Sequence, residues 1–129
     1  MARTANNVTP IEEKKEEVKP VIIRNSKNND IYVLEFNRFT VEFAEQRGFD
    51  VNELLSGKIM TYRLRELFFY AFRMHHPKIT KAETDKLIDE MGGLPDAMIE
   101  RLLELYMVTA SSIIQTEDSA KNSTLTIEL

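Results

Sequence analysis

Apolar residues in this chain recur every second position in some stretches and every third or fourth in others, and the change of period divides it into elements. After Pro20, VIIRN is a β-branched run, SKNND is rich in turn formers, and IYVLEF places Tyr32, Leu34 and Phe36 on one face with Ile31 and Val33 on the other. This predicts a β-hairpin over 21–36. A two-stranded ribbon alone is marginal in water, so it must pack on the helices downstream of it.

From residue 38 the helical period takes over. Asn37 is placed to cap RFTVEFAEQR, a helix over about 38–47 whose apolar face is Phe39, Phe43 and Ala44 with Val41 nearby, and Gly48 suits its left-handed end. Asp50 and Glu53 have capping-box spacing for a short helix over 50–56, stopped near Gly57. The strongest stripe, Met60, Leu64, Leu67, Phe68 and Ala71, predicts a helix over 59–75 that Pro77 ends. Phe69, Tyr70 and Phe72 lie off that stripe. Thr80 with Glu83 forms a second capping box, opening a helix over 81–91 that stops at Gly92 and Gly93. The last helix, over 95–114, starts near Pro95 and turns Met98, Leu102, Leu105, Tyr106, Thr109 and Ile113 inward.

The ends break both periods. Residues 1–19 are polar, and their EEKKEE block offers no stripe for burial, so they read as a flexible charged arm. Residues 116–129 form a tail that closes on TLTIEL, where Leu125, Ile127 and Leu129 alternate with polar residues. Two readings stand for it: a loose terminus, or a strand over 124–129 that adds to the hairpin edge or to a partner's sheet. The expected fold is α+β, mainly α: an N-terminal hairpin packed on a bundle of about four to five helices, one domain over 20–115 between flexible termini.

Composition narrows the function classes. With 129 residues and 43% hydrophobic content there is material for one core. The 21 acids against 17 bases leave a charge of −4, which provides no overall attraction to nucleic acid or anionic lipid. Cysteine is absent, which removes disulfide and thiolate chemistry and permits a reducing compartment. The first residues lack the apolar core of a signal peptide, and no apolar run approaches the ~18 residues of a membrane span. A soluble intracellular protein, with no membrane partner, is expected.

Chemistry-bearing motifs are few. His75 and His76, in FRMHHPKIT, are neighbours and point roughly 100° apart on a helix, so they cannot chelate one ion as a pair four apart would. His75 continues the stripe and is expected as a partly buried C-cap, His76 as solvated. No nucleophile elbow, phosphate loop or calcium loop is present, and the sequence offers no catalytic residue, metal site or cofactor site. The helix, GGLP turn and helix over 80–106 suggest a DNA-binding regulator as the alternative function. Against it, Lys81, Lys86 and Arg101 face seven acids there: Glu83, Asp85, Asp89, Glu90, Asp96, Glu100 and Glu104. The LFFYAF run serves core packing, a docking surface, or both on different sides of one helix. The candidate partner-binding residues are Phe69, Tyr70, Phe72 and Arg73, with Leu125 and Ile127 in the tail.

Taken in order, IYVLEFNRFTVEFAEQRGFD, LFFYAFRMHHPKITKAETDKLIDEMGGL and IERLLELY resemble the tail assembly chaperones of long-tailed phages infecting Gram-positive bacteria. The resemblance covers roughly Val21 to Tyr106 and rests on the order of elements. It implies a non-enzymatic protein of the host cytoplasm that binds the long, helical, aggregation-prone tape-measure protein, keeps it soluble and helps the major tail protein polymerise around it. Self-association is a further partner reading. The charged arm and the TLTIEL tail fall outside the match.

Overall fold

The computed structural model describes residues 17–57, 61–114 and 124–129. Most of the expected charged arm, Met60 and most of the segment linking the last helix to TLTIEL therefore lie outside the described residues. Strands β1 (Val21–Arg24) and β2 (Ile31–Leu34) pair antiparallel, with Val21 opposite Leu34 and Arg24 opposite Ile31. The loop between them is held by its own polar residues. Asn25 N–H donates to the Asp30 carbonyl at 2.9 Å, and the Asn25 and Asn28 side chains accept from the Lys27 and Asp30 amides.

Among the described residues, five helices come after the hairpin: α1 (Arg38–Gln46), α2 (Val51–Leu55), α3 (Thr61–Phe72), α4 (Lys81–Met91) and α5 (Asp96–Ser111). The fold is α+β and mainly α, as the pattern predicts. Local capping explains several boundaries. The Asn37 side chain accepts from Thr40 N–H at 2.8 Å while the Thr40 hydroxyl accepts from Asn37 N–H at 2.9 Å, closing a reciprocal box. Thr80 and Glu83 do the same for α4, and Gly92 ends that helix at φ 77°, where a Cβ would be strained. The Asp50–Glu53 box does not form as expected. Asp50 accepts from Asn52 N–H, while Glu53 turns to Arg63 at 2.6 Å, because a charge-assisted bond outcompetes a neutral amide. Arg63 also holds Glu66 at 2.7 Å, so this cation ties α2 to α3.

The first two helices are each a residue shorter at one or both ends than the periodic expectation, and α3 and α5 differ as well. α3 stops at Phe72 instead of residue 75, because the amides of His75 and His76 both turn back onto the Phe72 carbonyl ahead of Pro77. α5 begins at Asp96 with Pro95 as its cap, and ends at Ser111. Ile113, expected on the buried face, is exposed, since the chain leaves the helix before reaching it. Residues 124–129 carry no strand and are exposed, so the alternation of Leu125, Ile127 and Leu129 is not built into the hairpin sheet.

α3 is the hub, packing against β2, α1, α2, α4 and α5. Its sides are filled by Leu34 and Phe36 from the hairpin, Val41 and Ala44 from α1, and Leu102, Leu105 and Tyr106 from α5. Phe49, just beyond the α1 terminus, is also buried and packs edge-on against Tyr70 and Tyr106 at 6.0 and 5.3 Å. Phe39, expected on the buried face of α1, is 67% exposed: Ala44 is buried as expected, and Val41 rather than Phe39 joins it. At the far end of α5, the Arg38 guanidinium grips the Ser112 hydroxyl and carbonyl at 2.9 and 2.8 Å, clasping the start of α1 to the end of α5.

Candidate partner-binding surface

The HHP stretch is where the hairpin meets α3. Val33 N–H donates to Nε2 of His76 at 2.9 Å, and Glu35 N–H donates to the Ala71 carbonyl at 2.9 Å. Val33 lies on the open edge of β2 and Glu35 just beyond its end, so the end of α3 and the turn after it satisfy donors that the hairpin leaves outward. A backbone amide only donates, so Nε2 is the unprotonated nitrogen of a neutral ring. Burial pushes the His76 pKa below the ordinary histidine range, and the neighbouring His75 pushes it the same way. The ring packs edge-on against Tyr32 and Phe72, centroids 5.5 and 6.0 Å apart. His75 is the exposed one, its Nε2 lying 2.8 Å from the Glu35 carboxylate. The expected roles are therefore reversed. Because α3 ends three residues early, the helical stripe no longer aims His75 inward, and the turn delivers His76 to β2. Among the described residues, no three His, Asp or Glu side chains converge as a metal-binding group.

The six partner-binding residues read from the sequence do not form one surface. Tyr70 and Phe72 are core residues, 2% and 0% exposed, and are not available to a partner. They lie off the stripe, yet α3 is surrounded: Phe43 and Phe49 cover Tyr70, while Tyr32 and Phe68 cover Phe72. Phe69 is partly buried on the α4 side of α3, with the Lys81 ammonium 5.6 Å from its ring centroid. It borders a small pocket of about 190 Å³ whose wall includes Tyr62, Arg65, Thr84 and Asp85. Arg65 Nε donates to Asp85 at 3.0 Å across that pocket, joining α3 to α4, and this bond holds the Asp85 carboxyl below its usual range. Arg73 points to α1. Its guanidinium lies 4.1 Å from the Phe43 centroid and donates to the Pro77 carbonyl at 3.1 Å, while Arg47 lies 3.4 Å from the same centroid. Leu125 and Ile127 are exposed in the tail.

A surface not singled out in the sequence lies between α2 and α5. Leu55, Leu103 and Met107 line an open groove of about 430 Å³ with Glu100 and Glu104 at its lip. Leu55 is 50% and Met107 37% exposed, while Leu103 is partly buried against the core. The signal was present in α5, where Ile99, Leu103 and Met107 make one row at steps of four and Asp96, Glu100 and Glu104 make the neighbouring row. A periodicity that assigns Leu102, Leu105 and Tyr106 inward leaves these apolar residues unexplained.

The arrangement suits recognition by shape and apolar contact, and no helix among the described residues is long and apolar enough to cross a membrane. Comparison with known proteins gives one finding: a family model described as "Domain of unknown function (DUF5055)" matches residues 8–129. Neither a curated protein nor a solved structure matches the chain.

Proposed function

We propose that the chain, which belongs to the DUF5055 family over nearly its whole length, is a non-enzymatic tail assembly chaperone of a long-tailed phage. In this reading it works in the host cytoplasm, binds the tape-measure protein, keeps it soluble and assists the major tail protein in forming the tube. The observation that carries the binding role is the apolar groove of Leu55, Leu103 and Met107, open among the described residues. The phage-tail assignment of the partner comes from the resemblance of the hairpin, the aromatic helix with HHP and the LLELY helix. DNA binding through α4 and α5 draws no support from their surface, where acids outnumber bases.

Co-expression with the long, helix-rich protein expected from the neighbouring reading frame tests the reading. The tape-measure protein should move from the pellet to the soluble fraction when this chain is present and should co-purify with it. An unchanged soluble fraction defeats the proposal.

A further inference from the structure

We propose that the α2–α5 groove is the docking site for a basic amphipathic helix, two turns of which lie along the Ile99–Leu103–Met107 row. In naming this as the partner's docking segment, the proposal rests on the chaperone reading; the groove and its charge stand independently of it. From Ile99, one turn before the groove-lining Leu103 and Met107, the row runs eight residue steps along α5, about 12 Å at the helical rise, which matches two turns of a helix placed alongside it. Residues four apart on one helix present the spacing that apolar positions four apart on another can fill, the helix-in-groove mode of recognition. Met107 is flexible and polarisable, and adapts to more than one apolar neighbour.

Charge selects among occupants. Asp96, Glu100 and Glu104 lie one turn apart along α5, the last two at the lip, an arrangement of like charges that costs an isolated helix a few tenths of a kcal/mol per pair. None of them has a salt bridge among the described residues. The nearby base on α5, Arg101, is directed elsewhere, donating to the Lys19 carbonyl at 3.3 Å. Such a lip repels a second copy of the same face, a nucleic acid and anionic lipid, and it repels the chain's own TLTIEL segment with Glu128. It attracts a helix that carries lysine or arginine beside its apolar stripe, and brings these acids their cations.

The probe is a fluorescein-labelled synthetic helix with leucines at i, i+3, i+4 and i+7 and flanking lysines, compared by anisotropy with the same helix carrying glutamates in their place. The full chain should bind the lysine helix at least about tenfold more tightly at low salt, and the gap should narrow as salt is added. Leu55→Asp, at a half-exposed site, and separately Met107→Asp should each weaken binding about tenfold while the chain stays folded with a cooperative melt. The double variant Glu100→Lys with Glu104→Lys should reverse the preference. Equal binding of both helices, absence of binding, or a preference that survives the charge reversal overturns the proposal. Co-expression separates it from the chaperone reading. If wild type solubilises the tape-measure protein and Met107→Asp does so equally, the groove assignment falls and the chaperone reading stands. If wild type does not solubilise it while the lysine helix binds in the groove, the chaperone reading falls and the groove stands.

Discussion

Replacing Phe72 by alanine should remove a large share of this protein's stability, while the same change three residues earlier at Phe69 should cost clearly less. Phe72 is fully buried, and its ring meets Tyr32, Phe68 and His76 with centroids 5.6, 4.9 and 6.0 Å away. Truncating a core phenylalanine costs about 3–5 kcal/mol in lost burial and residual cavity, and three edge contacts place this site in the upper half of that range. Phe69 is only partly buried, so it forfeits roughly two-thirds or somewhat more of the roughly 1.5–3 kcal/mol that full burial of its ring would contribute. Losing the Lys81 contact adds about 0.5 kcal/mol, for a total near 1.5–3 kcal/mol. Against a typical total stability of about 5–15 kcal/mol, the first change removes a large share and the second a smaller one. Urea unfolding followed by circular dichroism measures both, with Tyr70→Ala expected to group with Phe72→Ala. A Phe69→Ala variant as unstable as Phe72→Ala would mean that α3 is rotated relative to its neighbours and that its enclosure has been misread.

Two further outcomes test the junctions around α3. The folded-state pKa of His76 lies below that of the unfolded chain, so the unfolded chain takes up more protons as the pH falls. The His76 contribution is therefore complete above the ordinary histidine value of about 6.5 and is lost as the pH drops below it toward the folded pKa. His76→Gln keeps an acceptor for Val33 N–H and leaves the His75–Glu35 pair in place. Thermal melts between about pH 7.5 and pH 5.5 should thus show a smaller loss for this variant than for wild type, and equal losses would contradict the His76 assignment. Thr80→Ala opens the box that starts α4 and should cost about 1 kcal/mol, whereas Thr80→Ser should cost little; a serine variant as unstable as the alanine one would count against the capping role.

Much of the fold could be read locally. The hairpin is specified by two β-branched runs around an Asn- and Asp-rich loop, and Asn37, Thr80 and Gly92 mark helix ends because a cap is an interaction between residues three or four apart. Boundaries slipped where a longer-range partner competed: Glu53 left its own helix terminus for Arg63, and the last residues expected in α3 became the turn that seats His76 on Val33. The candidate surface was less legible. Tyr70 and Phe72 look peripheral when α3 is judged by one stripe, but a helix enclosed by a hairpin and four other helices has buried residues around most of its circumference.

The order of strands and helices, their caps and an acidic surface over the last two helices were determined by the sequence itself, because each depends on neighbours a few positions away or on composition alone. Which aromatic of LFFYAF faces inward, which histidine meets the sheet edge, and where α2 leaves part of α5 uncovered were decided only in three dimensions. Burial is the property of a site between elements far apart in the chain. A period of three and four residues says that a face exists, and the packing of Leu34, Phe49 and Tyr106 around α3 settles which faces are filled and which stay open.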